Sequence, residues 1–202
     1  MKCSPQNIIR PSDMRNVRNY RDGDTEDIVT TILRMDKEAD RYIDREAAQC
    51  LAGKDDYETL YNVWRFVKSN VRYRVDRPGR EVVKSPAALF TLKAGDCKSF
   101  SIAEAALLRA LGFKGIRYRF AAYGNKKEVT HVYIVVKSRG EDVILDAVYG
   151  EFDAEEKYTW KKDLPASKAS GISGKPGTFK SNYTPTPIQL IGLGLMAWAA
   201  FR

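Results

Sequence analysis

The chain has 202 residues, 44% of them hydrophobic and 30% charged, and a formal net charge of +8. This length allows one sizeable core and excludes two comfortable domains once polar tails are set aside. The basic balance suggests attraction to phosphates, acidic polymers or an acidic partner, although a solvated basic surface with no specific partner is the plainer reading.

Residues 1–24 carry Arg10, Arg15, Arg18 and Arg21 among turn formers and read as a basic N-terminal arm. They hold no apolar run of signal-peptide length. Asp24 reads as a helix N-cap. Behind it Ile28, Val29, Ile32, Met35, Ala39, Tyr42, Ile43, Ala47 and Cys50 recur at helical spacing until Gly53. That predicts one helix with Cys50 on its buried face. Asp55 and Asp56 open a second helix, in which Tyr57, Leu60, Tyr61, Trp64, Val67 and Val71 keep the same rhythm. RYRVDR (72–77) is extended, and Pro78-Gly79 turns the chain. Ser85 caps a short helical turn that starts on Pro86 and is broken by Gly95.

Asp96 caps the most regular helix, CKSFSIAEAALLRAL, which Gly112 closes. Three strands are predicted next: 116–123, ending in the turn Gly124-Asn125; 129–136; and 143–148. From 163 onward Ser, Gly, Pro and Lys dominate, so 164–187 reads as a flexible linker. Residues 188–202 form an apolar tail, IQLIGLGLMAWAAF before the final Arg202, shorter than the roughly 20 residues of a spanning helix. Its expected role is docking on the domain or a partner, with membrane contact as the alternative. Helices followed by an antiparallel sheet make 25–163 an α+β catalytic domain.

The three cysteines, Cys3, Cys50 and Cys97, are far apart and form no CxxC pair. They do not read as a disulfide framework, which favours a reducing compartment. With a single histidine they are also a poor zinc set, so neither metal nor cofactor is expected.

Cys97 stands out because Gly95-Asp96-Cys97 puts a thiol in the first turn of a helix. The free N–H groups and positive dipole end there favour a thiolate, and the Cys97 backbone N–H faces where an oxyanion would form. Lys98 adds positive field in this reading. His131 is the sole histidine, sharing a strand face with Tyr133 and Val135. A neutral imidazole is the natural proton acceptor for a thiol. If 129–136 and 143–148 form a hairpin with an even loop, paired positions sum to an odd number. His131 and Asp146 then share a face, directly opposite or diagonal. An Asp inside VILDAV needs a hydrogen bond, which a histidine Nδ1–H would give while holding the ring. Backbone bonding at a strand end is the alternative for Asp146.

SPAALFTLKAGDCKSFSIAEAALLRALGFKGIRYR, then THVYIVV, then LDAV, resembles the transglutaminase-like superfamily, whose papain-related fold packs a nucleophile helix on a small antiparallel sheet. LYNVWRFVKSNVRYRVD resembles the helix and extension that precede this block, and the likeness spans roughly residues 57–150. It implies Cys97 as nucleophile, His131 as base and Asp146 as orienter, with Trp64, Asn70 and Tyr73 as candidates for a second oxyanion donor. Two departures are Asp146-Ala147-Val148 in place of Asp-Pro-Thr, and Tyr133 in place of a Trp directly after the histidine. The small size, basic arm and tail are also similar to bacteriophage-encoded members, which implies a cytoplasmic or virion-associated protein.

The resemblance implies acyl transfer through a Cys97 thioester, with hydrolysis of a peptide or amide bond in a peptide or protein substrate as the first expectation. Protein cross-linking is an alternative. So is a virion structural or interaction protein whose tail binds a membrane or partner. Nucleic acid is a disfavoured partner, because the aromatic residues occupy core positions and do not interleave with the basic runs.

Overall fold

The computed structural model describes residues 3–12, 17–21, 25–77, 80–124 and 129–166. The Asp24 cap, the Pro78-Gly79 turn, Asn125, the linker beyond Ala166 and the 188–202 tail lie outside the described residues. Six α-helices and eight strands are described: α1 (Pro5–Ile8), β1 (Val17–Arg21), α2 (Thr25–Ala39), α3 (Arg45–Ala48), α4 (Asp56–Asn70), β2 (Arg72–Tyr73), β3 (Arg80–Lys84), α5 (Pro86–Leu92), β4 (Ala94–Gly95), α6 (Cys97–Ala110), β5 (Arg117–Ala122), β6 (His131–Ser138), β7 (Glu141–Leu145) and β8 (Trp160–Pro165). No described helix is long and apolar enough to cross a membrane.

The fold is the expected α+β arrangement. Its main sheet is antiparallel in the order β7-β6-β5-β8, and α6 packs across it, chiefly on β6. Val132, Ile134 and Val136 meet Phe100, Ala103, Leu107 and Leu108 in the main core. The opposite sheet face carries a smaller cluster of Ala121, Tyr123, Tyr133, Val135 and Ile144. The strand alternation read from the sequence is therefore real, but both faces are buried.

Arg139 and Gly140 make a two-residue turn between β6 and β7, both with positive φ, 52° and 90°. This is the hairpin geometry that matches strand twist. It pairs Ile134 with Leu145 and Val135 with Ile144. Paired positions thus sum to an odd number, as an even loop requires.

Four expectations need correction. The predicted long helix from 25 to Cys50 breaks after Ala39 into a 3-10 turn at Asp40–Tyr42, then α3. The N-terminal segment causes the break: Arg10 N–H donates to Tyr42 O and Asp44 N–H to Ile8 O, each at 2.8 Å, while Ile9 bridges Ile43. The Asp44 carboxylate then caps α3 at the Ala47 N–H, 3.0 Å away.

The basic arm is accordingly part of the domain. Ile8 is fully buried, α1 packs on α3, and β1 pairs with β3. Cys3 and Cys50 are joined in a disulfide, against the reading of the cysteines as unpaired; their Cα atoms lie 5.6 Å apart. The spacing of 47 residues carries no local signature, which is why sequence reasoning passed over it.

At the other end the chain continues as strand through Pro165, hydrogen-bonded to β5, so residues 164–165 belong to the sheet rather than to a linker. Arg119, on β5, explains the pairing: its guanidinium binds both oxygens of Asp163 at 2.8 Å. An acidic residue in a polar stretch reads as linker until its cross-strand partner is known.

Replacing Cys3 and Cys50 by Ser should lower stability by about 2–4 kcal/mol, visible as a lower melting temperature. Denatured but unreduced protein should take one iodoacetamide adduct, and reduced protein three. Three adducts without reductant would remove the bridge.

Candidate active site

The first turn of α6 is built by local chemistry. Gly95 must be glycine because a Cβ there would come within 2.4 Å of Leu89 Cδ1, so α5 lies tight against the segment entering α6. Asp96 is the N-cap, its Oδ1 accepting from the Ser99 N–H at 3.3 Å. Its other oxygen binds the Lys98 ammonium, which also holds Glu81 at 2.6 Å and Asp76 at 3.4 Å. Lys98 is therefore bonded to three carboxylates, and the positive field it adds beside Cys97 is shared with them. Asp76, Glu81 and Asp96 lie close enough together to hold a metal ion, yet the cation among them is the chain's own. Burial and the Asp96 charge push the Asp76 carboxyl up to about 6.

Cys97, partly exposed, is the free cysteine at the start of this helix. His131 opens β6 and Asp146 follows β7 directly. With Ile134 opposite Leu145, the two sit diagonally on one face. His131 Nε2 lies 2.5 Å from Asp146 Oδ2, with 9% and 4% of the side chains exposed. The nitrogen differs from expectation: Nε2 binds the carboxylate, leaving Nδ1 as the ring nitrogen free of Asp146. Burial alone would depress the imidazole pKa, but the Asp146 charge and hydrogen bond, then Cys97, raise it well above its ordinary value. The structure thus brings Cys97, His131 and Asp146 together.

Asp146 is fixed twice more. Its Oδ1 accepts from the Val148 N–H at 3.0 Å, and its backbone oxygen from the Trp64 indole at 2.9 Å. Lys68, one turn along α4 from Trp64, donates to Ala147 O and Tyr149 O. Helix α4 therefore clamps the 146–149 turn. Of the three oxyanion candidates, Trp64 has its N–H used here, and Asn70 gives one of its two amide N–H groups to Phe66 O at 2.8 Å.

Around the ring of His131 stand Tyr133 at 5.6 Å, Tyr149 edge-on at 5.6 Å and Tyr123 at 6.1 Å. Sequence reasoning missed Glu104, which is 1% exposed, with Oε1 lacking a partner. Burial, followed by the Asp146 charge, drives its pKa well above the carboxylate range. The signal was present: a lone acid in the apolar run SIAEAALL, seven residues and two turns from Cys97 on the same helix face.

The family model described as the transglutaminase-like superfamily matches residues 45–162. The chain belongs to this superfamily. Among solved structures, calcium-bound LapG of Legionella pneumophila aligns at 20% identity, covering 72% of this chain and 93% of that one, with a TM-score of 0.48. Another LapG structure from that organism aligns at 22% identity over 60% and 73%, with a TM-score of 0.44. A candidate cysteine protease of Cytophaga hutchinsonii aligns at 21% identity over 65% and 48%, with a TM-score of 0.41. A search of the curated proteins finds no match. In this transglutaminase-like chain the matched span runs from α3 into β8 and includes Cys97, His131 and Asp146, while α1, β1 and α2 lie upstream.

Two predictions rest on this geometry. Asp146→Asn keeps an acceptor for the Val148 N–H but cannot hold an imidazolium. It should cut acyl transfer about 10³–10⁴-fold while the fold survives. A group with a raised folded pKa stabilises fully below its unfolded value and loses that contribution as pH rises through the folded one. The melting-temperature gap between wild type and Asp146→Asn should therefore be widest near or below pH ~6.5 and narrow on the alkaline side. A gap that widens with pH would contradict the raised imidazole.

Glu104→Gln preserves the shape of a neutral carboxylic acid. It should leave the pH dependence of Cys97 alkylation in place. A profile whose alkaline edge moves to lower pH would mean that Glu104 is ionised and helps to hold the His131 charge.

Proposed function

We propose that the protein is a cysteine-dependent acyl-transfer enzyme that hydrolyses a peptide or amide bond through a thioester on Cys97. The observation that carries this reading is the buried His131–Asp146 bond of 2.5 Å beside the free thiol of Cys97. An imidazole held in one orientation by a carboxylate, with its second nitrogen on a thiol, is equipped to take and return a proton. Membership of the superfamily supports the reading at the level of fold and reaction class.

The steps follow from the geometry. The Cys97 sulfur, its proton passed to His131 Nδ1, attacks the carbonyl carbon and pushes charge onto the oxygen. The C–N bond then breaks as the imidazolium protonates the leaving amine, and a thioester remains. Water next gives a proton to His131 and its oxygen to the carbonyl carbon. The acid departs and the thiol is regenerated. Asp146 binds the imidazolium in both halves and exchanges no proton.

Hydrolysis is the first reading and cross-linking the second; the two differ in whether water or an amine resolves the thioester. The Cys3–Cys50 disulfide supports work in an oxidising compartment, against the reducing one expected from sequence.

The test is incubation with casein and a fluorescent primary amine, with Cys97→Ala alongside. New peptide N-termini without amine incorporation support hydrolysis. Amine incorporation without new N-termini supports cross-linking instead. Equal turnover by Cys97→Ala would end both.

A further inference from the structure

A tetrahedral adduct at Cys97 places a negative oxygen beside the start of α6. The Cys97 N–H is one donor for it, since first-turn amides have no intrahelical partner. Acyl-transfer sites gain most from at least one further donor aimed at the same oxygen. The Trp64 N–H is already engaged, as is one of the two Asn70 amide N–H groups, and Tyr73 is the third candidate.

Its backbone is tied to the segment that delivers the nucleophile. Tyr73 pairs with Gly95 in the short parallel bridge of β2 and β4. The Arg72 N–H donates to Lys93 O at 3.0 Å, and the Arg74 N–H to Gly95 O at 2.8 Å. Two residues beyond Gly95 is Cys97. The Tyr73 ring stands edge-on to Phe100, with centroids 6.0 Å apart, one turn along α6 from the thiol. Among the described residues no hydrogen-bond partner is recorded for its hydroxyl. Burial, then the nearby Cys97 and Asp96, keep that phenol protonated far into the alkaline range. A neutral phenol is a donor, and among the described residues this one has no acceptor.

We propose that the Tyr73 hydroxyl donates, together with the Cys97 backbone N–H, to the oxyanion formed when the Cys97 sulfur adds to a carbonyl. The assignment rests on the acyl-enzyme reading above. It makes Tyr73 a catalytic residue, because it touches the reacting oxygen only once the sulfur–carbon bond has formed. The ring contact with Phe100 is then its support.

Two probes of Cys97 separate this role from others without a natural substrate. Acylation by p-nitrophenyl acetate passes through a tetrahedral oxyanion and releases nitrophenolate. Alkylation by iodoacetamide displaces iodide and forms no oxyanion. Tyr73→Phe keeps the ring and removes the hydroxyl. It should slow acylation about 10²-fold while alkylation stays within about twofold and the melting temperature holds. Equal slowing of both reactions would mean that Tyr73 acts on the thiol itself, and no slowing of either would make it a packing residue. Each result overturns the proposal. If wild-type Cys97 is acylated no faster relative to its alkylation than free cysteine is, the acyl-enzyme reading itself falls. That outcome is visible before any variant is made.

Discussion

The Asp96 carboxylate is where the site and the fold constrain each other. One oxygen caps α6 and the other anchors Lys98, whose ammonium draws in Glu81 from β3 and Asp76 from the segment after β2. Lys98 is buried, a position an ammonium tolerates only when it is paired. Each of these groups therefore depends on the others, and Cys97 lies between Asp96 and Lys98 in the chain. A helix start held this way cannot slide, which matters because attack on a carbonyl tolerates only small errors in the position of the sulfur.

The opposite wall of the site is fixed by different means. His131 begins a central strand and Asp146 ends an edge strand, so sheet register sets their separation before any side-chain contact forms. Helix α4 adds the Trp64 and Lys68 bonds to the backbone around Asp146, with Phe152 packing against Trp64 at 5.7 Å. Helix, sheet and the loop after β7 thus meet at one end of the sheet. A second polar knot lies along α6 at the other end, where Arg109 binds Asp36 and Asp40, and the Tyr118 hydroxyl donates to Asp36 at 2.8 Å. That knot joins α2, α6 and β5 well away from the thiol.

What the sequence made legible was whatever repeats or is locally self-sufficient. The Asp55, Ser85 and Asp96 caps each find their N–H within three residues, and the odd-sum parity of His131 and Asp146 needed only the loop between their strands. The misses are long-range. The Cys3–Cys50 bridge, the break of the first helix at Asp40–Tyr42 and the strand character of residues 164–165 each depend on partners tens of residues away. Helical periodicity continues through Tyr42, Ile43 and Ala47 because those residues are buried in either case, so the pattern could not report the break. The choice among Trp64, Asn70 and Tyr73 was open for the same reason: only the folded chain shows which donors are already engaged.

The charges close in a way that explains Glu104. Asp146 and the imidazolium of His131 are opposite charges in a nearly dry place. A second ionised carboxyl beside Asp146 would face one imidazolium with two anions, at an effective dielectric that screens them poorly. The Lys68 charge, held at Ala147 O and Tyr149 O, offsets this only in part. Burial and the Asp146 charge therefore keep the Glu104 proton in place, and the acid behaves as a polar wedge under the turn, bonded to the Ala147 N–H. A leucine there would leave that amide unsatisfied. A permanently charged group would compete with Asp146 for the imidazolium. A carboxylic acid meets both constraints because its proton makes it neutral while its carbonyl oxygen still accepts, and the glutamate side chain spans the distance from α6 to the turn.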